Sequence, residues 1–187
     1  MKLRTIVYLL ISSLLCSCVA VVVAGAAAGL VVYDRRSITT LESDTRIFHV
    51  IHNQLVSNPA FADSRVIVSS FNQVVLLVGQ VPNMGLRSMA EKIARNTPNV
   101  RRVYNEITVA FPIPLSQRTK DTWITSQVRS LMLTKKGLES GSIRIVTENA
   151  VVYLMGIATH EQADLAVSVA RQVDGVQKVV KVFQYIV

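Results

Sequence analysis

The segment "VVLLVG", Val74–Gly79, reads as a β-strand closed by a glycine, and it has an echo. "VVYLMG", Val151–Gly156, has the same form, and the two glycines lie 77 residues apart. Asn72 and Asn149 share that offset, each placed where a tight turn between two strands favours asparagine. Working outward on the N-terminal side, Ile47, Val50, Ile51, Gln54 and Leu55 recur at helical spacing, followed by Phe61 and a strand around Val66–Val68. Their counterparts are Ile124, Gln127, Val128, Leu131 and Met132, then Leu138 and a strand around Ile143–Ile145.

On the C-terminal side of the glycines the offset becomes 76, so one residue is lost in the loop between. There "MAEKIARNTPNVRRVYNEITV" answers "LAVSVARQVDGVQKVVKVFQY", with Ala94-Arg95 set against Ala170-Arg171. The pattern predicts a second helix at about 84–96 and 161–173 and a last strand at about 100–110 and 176–187. Each copy is therefore helix, strand, strand, helix, strand: an α+β fold of two tandem αββαβ units, each a three-stranded mixed sheet with two helices on one face. Such a sheet buries one face well, so the other is expected to stay partly wet. The units are placed at 45–111 and 121–187. The proline-bearing "FPIPLSQRTK" cannot continue a central strand, which makes 112–120 the linker.

The amino terminus has a different character. Lys2 and Arg4 precede an apolar run from Thr5 to Leu15, as in a signal peptide. Leu15-Cys16-Ser17-Cys18 then resembles the bacterial lipoprotein signal, in which a small residue precedes the cysteine that is cut and lipidated. Cys18 fits better than Cys16, which has bulky Leu15 before it. This reading makes 1–17 a signal peptide and 18–44 a lipidated cysteine with a flexible tether. Residues 5–33 are also long and apolar enough to span a bilayer uncleaved, and Gly25 and Gly29 copy the GxxxG spacing of packed membrane helices. However, 19–32 alone falls short of a span. With only two cysteines in 187 residues, no disulfide framework is available.

Formal charge is +8, which points to an anionic partner, and for an envelope protein that is the membrane surface and not nucleic acid. The only tryptophan, Trp123, opens the first helix of the second unit, "DTWITSQVRSLMLTKKG". Arg129, Lys135 and Lys136 follow with no carboxylate between Thr122 and Gly137. Indole and cations on one helix suit docking at the level of lipid headgroups. Ile124 and Gln127 complete the candidate set, although Ile124, Val128, Leu131 and Met132 are also residues for the unit's own core, which places Trp123 beside the buried stripe. Bulk charge points the other way, since 45–111 carries +4 and 121–187 only +1. Over a Debye length of about 8 Å, local charge matters more than the total.

Other chemistry is poorly supported. His49 and His52 sit three apart on a helix without a third ligand of suitable type nearby, and Arg101 and Arg102 beside Tyr104 read as solvated surface. No nucleophile with a base and no phosphate loop can be assembled, so no catalytic residue, metal or cofactor is expected.

The αββαβ order, the strands ending in Gly79 and Gly156, and the segments "VLLVGQVPN", "VYNEI", "DTWIT" and "VYLMG" resemble the BON domain. With the signal segment, the layout is similar to the dual-BON lipoproteins of the bacterial outer membrane. The resemblance implies a lipid-anchored protein on the periplasmic face that binds anionic phospholipid, chiefly through the second unit, and supports outer-membrane integrity. An adaptor that binds an envelope protein, such as outer-membrane assembly machinery, is the competing expectation.

Overall fold

A computed structural model describes residues 36–186. Cys18, the signal segment and most of the tether lie outside the described residues. The first repeat consists of helix α1 (Ile38–Val56), strands β1 (Arg65–Phe71) and β2 (Val74–Val81), helix α2 (Met84–Arg95) and strand β3 (Arg102–Val109). The second consists of α3 (Leu115–Thr134), β4 (Ile143–Glu148), β5 (Val151–Ala158), α4 (His160–Ala170) and β6 (Lys178–Tyr185). The αββαβ reading thus holds in both copies. Each sheet is mixed, with its middle strand antiparallel to the preceding strand and parallel to the last.

The hairpins turn in two residues. Phe71 pairs with Val74 across Asn72-Gln73, and Glu148 pairs with Val151 across Asn149-Ala150. Both residues of each turn have positive φ, 49° and 63° in the first and 50° and 61° in the second. That is the type I′ geometry, whose twist matches the flanking strands and whose first position tolerates asparagine best among non-glycine residues.

Two boundaries differ from the sequence expectation. Residues 38–44 are not tether but the first two turns of α1, because Ser37 caps the helix by accepting from the Thr40 N–H. Likewise α3 begins at Leu115, so most of the stretch 112–120 is helix. Pro112 and Pro114 do stop the strand, but a proline just ahead of a first turn removes no helical hydrogen bond.

The larger correction concerns the second face of each sheet. One face is covered by the helices as expected. Ile47, Ile51 and Leu55 of α1 and Ala90 and Ala94 of α2 pack on Val75, Leu77, Val103 and Ile107. In the second repeat Ile124, Val128, Met132, Ala166 and Ala170 pack on Val152, Leu154 and Phe183. The other face is not wet. Phe71, Val74, Leu76 and Val78 of the first sheet share a third core with Tyr153, Met155 and Val182 of the second. The two sheets pack face to face, so every residue of β2 is buried. A central strand covered on both sides needs apolar residues at odd and even positions alike, which is what "VVLLV" and "VVYLM" supply.

Polar groups fix the alignment of this interface. The Glu148 carboxylate accepts from Arg65 Nε at 3.2 Å and from Gln80 Nε2 at 3.0 Å. Gln80 Oε1 in turn accepts from the Ile113 N–H at 3.1 Å, and Asn72 Nδ2 donates to Gln184 at 2.9 Å. Burial pushes the Tyr153 phenol up to about 12, and the Glu106 and Glu148 carboxylates push it the same way. An acid whose folded pKa lies above its ordinary value of about 10 opposes folding once it ionises. The packing of the two sheets is therefore at full strength below about pH 10 and weakens as pH rises toward 12. A tyrosinate absorbance titration should show a late-ionising component that is lost in Tyr153→Phe.

Among the described residues, no helix is long and apolar enough to cross a membrane.

Candidate functional site

Helix α3 is 20 residues long and has one face committed to the core. Ile124, Val128 and Met132 recur at four-residue spacing and are all buried. Ile124 is 2% exposed, so it belongs to the core of the second repeat and is withdrawn from the surface set. Trp123 is 50% exposed and stands well away from the buried stripe instead of beside it. A residue next to a buried one advances 100° around the helix, and Trp123 advances away from Val128 and Met132. Gln127 lies one turn further along the same flank and Leu131 two turns, both exposed, with Leu131 at 39%. Leu133 is 50% exposed, and Lys135 and Lys136 follow it, exposed, just past the helix end.

Arg129 does not join them. Six residues separate it from Trp123, which puts the two about 120° apart around the axis. Arg129 faces the groove between the two repeats, where Arg36 and Arg144 also lie.

The helix in the equivalent place of the first repeat makes the contrast. At the 77-residue offset Trp123 corresponds to Arg46, Gln127 to Val50 and Leu131 to Gln54. The core positions are kept, Ile47 against Ile124 and Ile51 against Val128, while the outer flank is replaced. The exposed indole and Leu131 are thus special to the second repeat and not a requirement of the fold.

Two residues that matter to the architecture escaped sequence reasoning. Asp44 and Asp121, 77 apart, are buried on the core side of α1 and α3. Asp44 accepts from the N–H groups of both turn residues, Asn72 at 2.7 Å and Gln73 at 2.8 Å, and from Ser70 Oγ at 2.9 Å. It also pairs with Arg36 at 2.9 Å. Asp121 accepts from Asn149 N at 2.7 Å, Ala150 N at 2.9 Å and Gln117 Nε2 at 2.9 Å. Each aspartate ties a helix to its hairpin turn. The signal was their shared offset with Asn72 and Asn149.

The remaining candidates are structural in their surroundings. His49 and His52 flank Phe48, with ring centroids 5.2 and 5.3 Å away. Arg102 donates to the Tyr104 hydroxyl at 3.2 Å. Glu91 accepts from Asn105 and Arg95, and these bonds hold its carboxyl below the usual range.

The architecture is a tandem pair of sheet-packed αββαβ modules, the second of which presents an apolar and cationic helix. The BON domain model matches residues 43–110 and 120–186, so the chain belongs to the BON domain family and carries two copies. It is 37% identical over 171 residues to the outer membrane lipoprotein DolP of Haemophilus influenzae, covering 90% of this chain and 89% of that protein. The two-domain layout is therefore DolP-like. The 21 kDa hemolysin of Actinobacillus pleuropneumoniae is also 37% identical, over 66% of this chain and 64% of its own length. Osmotically-inducible protein Y of Escherichia coli is 27% identical over 73% of this chain and 69% of its own.

Proposed function

We propose that this chain is an outer-membrane lipoprotein, anchored through Cys18 on the periplasmic face, that recognises anionic phospholipid with the outer flank of α3 and thereby supports envelope integrity. It acts as a binding protein and not as a catalyst. One observation carries the reading. A helix whose core face is already filled still exposes Trp123, Leu131 and Leu133 and is followed by Lys135 and Lys136. Apolar groups at solvent with cations alongside suit the boundary between acyl chains and negatively charged headgroups. Trp123, Gln127, Lys135 and Lys136 are the proposed contact residues. The tether holds the protein near a bilayer, and the helix adds sensitivity to composition, as two weak signals together do.

Sedimentation of residues 36–187 with vesicles tests this, since that fragment contains all three cores without the anchor. Binding is expected with phosphatidylglycerol vesicles and not with phosphatidylcholine vesicles, and it should weaken as salt rises. Each lysine near an anionic surface contributes about 1 kcal/mol, so Lys135→Ala with Lys136→Ala should cost about tenfold or more in affinity at low salt. Capture of an envelope protein with no lipid preference would favour the adaptor reading instead.

A further inference from the structure

We infer that the stretch joining the two BON domains, residues 111–115, is a second point of membrane insertion, which lays helix α3 flat on the bilayer with an apolar foothold at each end. The inference rests on the reading that the outer flank of α3 meets anionic phospholipid, and it adds residues which that reading does not use. Phe111 is 90% exposed and Leu115 is 74% exposed. Val56, also exposed, lines the open cleft beside Phe111, so the ring belongs to an apolar patch and is not a lone side chain. The stretch is also held rigidly. Pro112 and Pro114 fix two of its backbone angles. Between them Ile113 is buried, its N–H donating to Gln80 Oε1 at 3.1 Å and its carbonyl oxygen accepting from Arg118 Nε at 3.0 Å. Ile113 is thus anchored inward while Phe111 and Leu115 stay outside.

Helical geometry says what covers them. Leu115 and Leu133 are five full turns apart, so they project from the same side of α3, about 27 Å apart along its axis. Trp123 lies between them, about 80° around. The strip around these three carries Thr119, Thr122, Ser126 and Ser130, all exposed, and no charged side chain. The hydroxyls of Thr119, Thr122 and Ser126 donate to carbonyl oxygens one turn back in the same helix, at 3.1, 2.9 and 3.0 Å, so each keeps a partner when water is withdrawn. Arg118 and Arg129 flank the strip on one side and Lys120 on the other. An uncharged strip with apolar residues at both ends and cations alongside matches the level where acyl chains meet anionic headgroups.

Two footholds fix an orientation that one would leave free. With Phe111 and Leu115 at one end of α3 and Leu133 at the other all at acyl level, the helix axis lies parallel to the bilayer. Lys120 near one end and Lys135 and Lys136 past the other then reach headgroups together.

The test uses the intact chain reconstituted in phosphatidylglycerol vesicles with bromines on the acyl chains, in two single-tryptophan forms. The natural chain reports Trp123, and Trp123→Phe combined with Phe111→Trp reports position 111. Both indoles are expected to be blue-shifted, quenched by the bromines and shielded from aqueous iodide. Phe111→Ser with Leu115→Ser should weaken docking about tenfold or more, the scale of returning two apolar side chains to water, seen as lost quenching of Trp123. Both positions are exposed, so the amide spectrum of the three cores should not change. Quenching at Trp123 without quenching at position 111 would overturn this inference and leave the lipid-facing helix standing. Quenching at neither would overturn both, and quenching at position 111 alone would move the membrane contact off the α3 flank and overturn the flat orientation. Undiminished quenching of Trp123 in the double serine variant would assign Phe111 to a protein partner or a second copy of the chain, and so contradict its insertion.

Discussion

Gly156→Ala is expected to unfold the second repeat, with a loss of about 3 kcal/mol or more. A Cβ at that position would lie 2.1 Å from the Ser142 carbonyl oxygen. The clash is with backbone at the entry to β4, the strand that pairs with β5 through Ile143 and Gly156, so no side chain can swing aside. Gly79→Ala should do the same to the first repeat, where the Cβ would meet the Arg65 carbonyl oxygen at 2.0 Å. There the backbone also has φ of +123°, which an alanine tolerates poorly. Gly137 is the control. It has φ of +80° but nothing within 4 Å of where a Cβ would stand, so Gly137→Ala should cost only about 1 kcal/mol. Urea denaturation of the three variants separates the two causes, and equal losses in all three would mean that close strand approach is not what these glycines serve.

The second large effect is expected at the paired aspartates. Asp121→Ala strips the acceptor from two turn N–H groups in a largely buried setting, at a cost of about 3 kcal/mol. Asp44→Ala should cost more, about 3–5 kcal/mol, because it also removes the Asp44 oxygen from a buried ion pair with Arg36 and from the Ser70 hydroxyl. Asparagine at either position keeps the shape and one acceptor oxygen, so its loss should be intermediate. Hydrogen exchange distinguishes this from general destabilisation. The amides of Asn72 and Gln73, or of Asn149 and Ala150, should lose protection first in the matching variant. Unchanged protection at those four amides would contradict the assigned role.

The repeat was legible because its punctuation is local. Gly79 and Gly156 respond to strands that approach too closely for a Cβ, and Asn72 and Asn149 to a turn that demands positive φ, so each reports its own geometry in a single letter. The covered second face was less legible. The unbroken apolar runs Val74–Val78 and Val151–Met155 indicate burial on both sides of a strand, but nothing in them says what lies opposite. The interface also contains Ser69, Gln80, Arg65 and Glu148, polar residues that read as solvent-facing until their partners from the other repeat are known. Asp44 and Asp121 were hidden for a related reason: an aspartate on a helix usually faces water, and only the hairpin turn packed against it supplies the donors that make burial tolerable.

The candidate helix divides in the same way. Its aromatic and cationic content was plain in "DTWITSQVRSLMLTKKG", but the angular placement depended on where the core stripe runs. That placement removes Ile124 from the surface and turns Arg129 toward the groove. Trp123 and Gln127 remain on the outer flank, with Leu131 joining them.

Because Trp123 is the single tryptophan of the chain, its fluorescence reports one place without ambiguity. The decisive measurement is quenching of that fluorescence by brominated acyl chains at graded depths in phosphatidylglycerol vesicles carrying residues 36–187. A blue shift with strongest quenching by bromines near the headgroup end is the predicted result. Saturable binding with an unshifted, unquenched indole would place the membrane contact elsewhere on the protein.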